Sequence, residues 1–267
     1  MQQFNLNRFK KVVVRDFYTM IQQYGLTMLI MALLPVAVWL WDFIILKEYA
    51  IDVSSRETIT TLIVELSAIL APSRIYRTIN LPKDGIYYAM VPASKLEKFA
   101  SMVLYCIFVA PLIVWGGLIA VDTLLTILPI GPYRSFLWQE SGLLQTLPSL
   151  APSWRTIESD LPWQYTFIIS LGYPSMAALF MFTNTIFKKH KVTKTILSSI
   201  AILFVLTLIS IPILSSFVFN SDYSFWRQTL STGSIEQHIL WGSLFLNIVW
   251  IVGLLIWSYA RIKRMKY

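Results

Sequence analysis

Apolar residues run along this chain in six long blocks, at 25–46, 57–75, 99–128, 163–186, 195–218 and 237–260. Each is long enough to cross a hydrocarbon layer of about 30 Å, which takes about 20 helical residues. The second block carries Glu65 near its middle and ends in Ala71-Pro72-Ser73-Arg74, where the proline kinks or stops a helix. Pro111, Pro174 and Pro212 interrupt later blocks, which membrane helices tolerate when neighbouring groups take up the freed carbonyls. Ahead of the first block, Leu6, Phe9, Val13, Phe17, Met20 and Tyr24 fall on one helical face, and Arg8, Lys11, Arg15 and Gln22 fall on the other. That pattern predicts an amphipathic helix over residues 1–24, lying in the membrane interface or acting as a basic anchor, followed by a six-span domain over 25–267. The expected fold class is therefore all-α membrane protein.

Charge placement fixes the expected orientation. Lysine and arginine concentrate in the N-terminal helix, in the loops after spans two and four, and in the C-terminal tail, which together hold seventeen of the 22. By the positive-inside rule both termini are cytoplasmic, and headgroup attraction accounts for the net charge of +8 without nucleic acid as a partner. Seven of the ten tryptophans, Trp39, Trp41, Trp138, Trp154, Trp163, Trp226 and Trp241, fall near the opposite boundary, as an aromatic belt does. A mean hydropathy of +0.62 and 13% charged residues agree with a polytopic membrane chain. The apolar run from Gly25 is too long for a cleavable signal, so the first span is expected to remain. The outer loop between spans three and four is expected to carry a short surface helix over 133–145.

Candidate chemistry is sparse. Cys106 is the single cysteine, which excludes an intramolecular disulfide, and His190 and His238 are expected on opposite sides of the membrane. No H-E-x-x-H, G-x-S-x-G or phosphate-binding G-x-x-x-x-G-K-[ST] element occurs, so no metal, no cofactor and no nucleotide are expected on this chain. Three acids lie in or beside spans. Asp42 and Asp122 are close enough to the outer boundary to be hydrated there, whereas Glu65 is central, where a carboxylate faces the bundle interior, pairs or stays protonated. Glu65 is thus the candidate for a pathway or dimer-interface residue, or for a structural hydrogen bond. Gly116-Gly117 offers a place for close helix approach.

The most distinctive stretch is Gly85 to Phe99, G-I-Y-Y-A-M-V-P-A-S-K-L-E-K-F. Pro92 suits a turn, and Ser94 with Glu97 forms the S-x-x-E pattern in which two side chains satisfy two otherwise orphaned backbone N–H groups, so a helix is predicted to start at Ser94. This stretch, placed after the second span, resembles the permease subunits of bacterial ABC-2 type transporters. The resemblance implies a coupling helix that meets a separate ATPase subunit through Pro92, Ser94, Leu96, Glu97, Lys98 and Phe99. It further implies a connecting helix at the N-terminus, ATP held by the partner, two permease subunits as a homodimer or heterodimer, export as the direction, and residence in the bacterial inner membrane. A proton-coupled carrier built on Glu65, and a scaffold or sensor that binds another cytoplasmic protein, are the competing readings.

Overall fold

The computed structural model describes residues 4–46, 53–80, 88, 90–128, 133, 135–137, 171–187, 190–201, 204 and 234–264. Every regular element among them is helical. In chain order they are α1 (Leu6–Trp41), a π turn (Asp42–Leu46), α2 (Val53–Ile75), a 3₁₀ turn (Arg77–Asn80), α3 (Lys95–Val103), a second π turn (Leu104–Val109), α4 (Ala110–Ile127), α5 (Gly172–Ile186) and α6 (Ser234–Arg264). Four stretches are long and apolar enough to cross a membrane: Leu6–Ile44, Ser55–Ile75, Lys95–Ile127 and Trp241–Arg264. The expected spans 163–186 and 195–218 and the loop helix over 133–145 lie partly outside the described residues.

The N-terminal amphipathic helix and the first span are one helix. No break occurs at residue 24, because Gly25 is tolerated inside a helix and the buried stripe of Val12, Asp16, Met20, Tyr24, Met28, Met31 and Pro35 runs straight through it. At 1.5 Å per residue its 36 residues extend about 54 Å, well beyond one hydrocarbon thickness, so its basic end projects past the membrane core. The stripe is also turned from the expected face: Leu6 and Phe17 are exposed, and Asp16 lies inside. The apolar side chains left outward on α1 and α6, such as Leu26, Leu29, Phe245 and Leu246, are what hydrocarbon covers.

α1 packs on α4 and α2, α2 on α5, and α5 on α6. Small residues bring these helices close, with Ala68 and Ala71 of α2 and Ala177 and Ala178 of α5 completely buried. Of the glycine pair, Gly117 is the one at a contact: a Cβ there would stand 3.1 Å from Ala32 Cβ on α1, whereas Gly116 faces open space. One end of the bundle gathers Arg8, Arg77, Lys95, Lys98, Lys191 and Lys263 through contacts described below, and is termed here the basic end. The far end carries exposed Trp41 and Trp241 and a stacked Trp39–Phe43 pair.

At the far end Arg56 of α2 and Asp122 of α4 form a buried ion pair, with Arg56 Nε donating to Asp122 Oδ1 at 3.0 Å. Nη1 donates to the Ser135 carbonyl at 2.8 Å, and the guanidinium lies 4.1 Å from the centre of the Tyr133 ring. Burial pushes the Tyr133 hydroxyl up to about 12. Asp122 is therefore paired and dry, where the sequence pointed to a hydrated carboxylate; the planar fork of Arg56 reaches it from the first turns of α2.

Candidate functional site

The site is the start of α3. Ser94 has the extended backbone of an N-cap (φ −64°, ψ 153°), its Oγ accepts the Glu97 N–H at 3.2 Å, and Glu97 Oε2 accepts the Ser94 N–H at 2.8 Å. This is the reciprocal box expected from the sequence. Glu97 does more, however. Its Oε1 accepts the backbone N–H of Asn5 at 2.8 Å, and Asn5 in turn caps α1 by accepting the Asn7 N–H at 2.9 Å. One fully buried carboxylate thus joins the first turns of two helices, with the Arg8 guanidinium 3.4 Å away.

Other side chains of α3 are held as well. Lys98 Nζ donates to the Tyr88 carbonyl at 2.8 Å and sits over the Tyr88 ring, beside which Arg15 also stacks. Lys95 Nζ donates to the Lys263 carbonyl at 2.6 Å in the last turn of α6, and Phe99 packs on Tyr259 with ring centres 5.5 Å apart. Such a cation at a helix C-terminus satisfies an orphan carbonyl and suits the dipole.

The six residues singled out from sequence thus divide. Glu97 and Lys98 are buried, Ser94 and Phe99 are half-buried, and Pro92 and Leu96 are exposed. The exposed set continues into Met90, which is 74% accessible, and across to Phe4 and Leu6, the neighbours of the Asn5 that Glu97 holds. Phe4, Leu6, Met90, Pro92 and Leu96 are thus exposed apolar side chains around the point where Glu97 joins the starts of α1 and α3.

Sequence reasoning missed the second polar centre of the basic end. Asp16 is buried and accepts from Ser101 Oγ of α3 at 2.7 Å, from the Tyr76 hydroxyl at 3.1 Å and from Arg15 Nε at 3.0 Å. Burial, reinforced by the Asp16 charge, pushes the Tyr76 hydroxyl well up, so it stays protonated and donates to Asp16. The end of α2 is closed by side chains from three directions. Gln23 of α1, with its amide nitrogen turned inward, donates to the Arg74 and Ile75 carbonyls at 2.8 and 3.1 Å. Asn184 Nδ2 of α5 donates to Pro72 and Tyr76 at 2.9 and 3.2 Å, and Lys191 Nζ donates to Arg77 at 2.8 Å. Burial and the neighbouring Arg77 charge push the Lys191 amine down to about 8. Side chains from α1, α5 and the helical residues 191–201 thereby fasten the end of α2, Asn184 as a second donor to carbonyls that already accept the Tyr76 and Ile79 N–H groups.

Glu65 lies apart from both centres. It is exposed on the outer side of α2, between exposed Leu62 and Leu66, and does not face the interior of the described bundle. Asp42 is half-buried at the far end, and His190 is exposed in a turn with φ 51°. Among the described residues no group of three or more His, Cys, Asp or Glu side chains gathers as metal ligands do.

These features define a helical membrane protein with a capped, surface-presented helix at one end of its bundle. Comparison of the chain with protein-family models, with curated proteins and with solved structures gives no match.

Proposed function

We propose that this chain is the membrane-spanning permease subunit of an ATP-driven transporter of the ABC-2 type. It works as a dimer, with ATP bound and hydrolysed on a separate ATPase subunit. The observation that carries the reading is the start of α3: exposed Met90, Pro92 and Leu96, ahead of the apolar block 99–128, on a segment fastened to α1 and α6 by Glu97, Lys95 and Phe99 and to Tyr88 by Lys98. A partner pressing on Leu96 moves α3 together with the first turn of α1 and the last turn of α6, to which it is fastened, so the displacement passes into those spans. Within the expected six-residue set, contact with the ATPase falls to Pro92 and Leu96, and the buried members transmit.

The course of the chain supports six spans. α2 and α5 end at the basic end, since Asn184 of α5 meets Pro72 and Tyr76 of α2. α6 also ends there, through Lys263 and Lys95, so it starts at the far end. Between the end of α5 and the start of α6 the chain must cross an odd number of times, which one span over 195–218 supplies. With the basic end on the cytoplasmic side of a bacterial inner membrane, both termini are cytoplasmic. Glu65 on an outer face fits contact with a second permease subunit better than a proton path inside one chain, because a central carboxylate facing hydrocarbon is costly.

The test is purification of the tagged chain from native membranes in mild detergent, with bound material assayed for ATP hydrolysis. Wild type brings down an ATPase, and Met90→Asp with Leu96→Asp, which places charge on exposed positions only, brings down none. Absence of ATPase from the wild-type material would remove the reading.

A further inference from the structure

The π turn at Leu104–Val109 stands between the surface helix α3 and the membrane helix α4. Its hydrogen bonding has one gap. The Ala110 N–H donates to the Tyr105 carbonyl, five residues back, instead of to Cys106. In the same register the Cys106 carbonyl would take the next N–H, but the next residue is Pro111, which has none. The Cys106 carbonyl is therefore left without a main-chain donor in a fully buried position. The Tyr173 hydroxyl of α5 fills the gap by donating to it at 3.2 Å, and also lies 3.3 Å from Ser67 Oγ of α2, which itself donates to the Val64 carbonyl. A single hydroxyl thus ties the π turn to α5, with Ser67 of α2 packed beside it.

We propose that this π turn is a hinge, latched by Tyr173, at which α3 pivots against α4. Helices bend at π turns and at prolines, and here the two coincide. On the α3 side, Ser101 is bound to Asp16 and the Tyr105 hydroxyl donates to the Val13 carbonyl at 2.7 Å, so the near segment moves with the first half of α1. On the α4 side, Gly117 lies close against Ala32, so the far segment is seated on the second half of α1, and the pivot flexes the continuous helix α1 between Asp16 and Ala32. When the latch opens, the Cys106 carbonyl and side chain lose their cover together. The hinge is a property of this chain alone and stands whether or not an ATPase is its partner.

Cys106 is the single cysteine and is fully buried, so it reports the hinge directly. The experiment measures the rate at which N-ethylmaleimide labels Cys106 in the full chain in lipid nanodiscs, for wild type, Tyr173→Phe, and Tyr173→Phe combined with Pro111→Ala. Loss of the hydroxyl raises the rate about tenfold, the size expected for one lost hydrogen bond to a buried carbonyl. The added Pro111→Ala supplies the missing N–H to that carbonyl and returns the rate toward wild type, which a packing role for Tyr173 does not predict. Labelling of Tyr173→Phe at the wild-type rate, or of the double variant as fast as the single one, would overturn the proposal. If the variants do not fold, hydrogen exchange on wild type decides: amides of 107–110 exchange faster than those of α3 and α4, and equal protection would overturn the hinge.

Discussion

Glu97 shows how much a single side chain carries here. The sequence marks it as half of a capping box, which is local information, but its second oxygen caps α1 through Asn5, 92 residues away. That second bond is not legible from S-x-x-E, because it depends on where the two helix starts meet. The consequence is measurable. Ser94→Ala loses one cap, at about 1 kcal/mol, whereas Glu97→Ala orphans N–H groups on two helices and costs about 2 to 3 kcal/mol. Thermal unfolding in detergent compares the two variants, and equal losses would contradict the double role. Asp16 was legible in principle: it occupies the fourth position after Val12 and the fourth before Met20, on the apolar stripe itself. Grouped with the basic residues of its neighbourhood, it reads as surface charge, and only the Tyr76 and Ser101 donors identify it as buried.

Among elements, α3 and the pairing of α2 with α4 were unequally visible. The start of α3 follows from Pro92, Ser94 and Glu97, since each acts within one turn. The continuity of α1 does not, because charged and apolar portions of one helix look like two elements whenever the helix is longer than the membrane. The Arg56–Asp122 pair was hidden for a related reason. Each residue lies near a span end, where hydration is the ordinary outcome, and burial arises from Tyr133 and the Ser135 carbonyl folding over them. Removing one partner leaves a buried charge, so Asp122→Ala costs about 3 to 5 kcal/mol. Replacing both, Arg56→Met with Asp122→Leu, costs clearly less, since no unpaired charge remains. Unfolding midpoints of the three forms check this ordering, and a double variant as damaged as Asp122→Ala would argue against the buried pair.

At the scale of the molecule, the alternation of apolar blocks and basic loops made the helical membrane class legible, because hydrophobic length and charge placement obey the bilayer and not the details of packing. What stands on the surface of the basic end was not legible to the same degree. The resemblance treats six residues between Pro92 and Phe99 alike, whereas packing turns Glu97 and Lys98 inward and leaves Leu96 outward, as it does Met90, Phe4 and Leu6. The account as a whole rests on that division of one helix into a docking face and a fastened face. It is tested most directly by photo-crosslinking in native membranes, with a short benzophenone-type side chain placed at Leu96 or, on the buried face, at Ser101. The account predicts an adduct with an ATP-hydrolysing protein from position 96 and none from position 101. No adduct at 96, or adducts of equal yield at both positions, would contradict it.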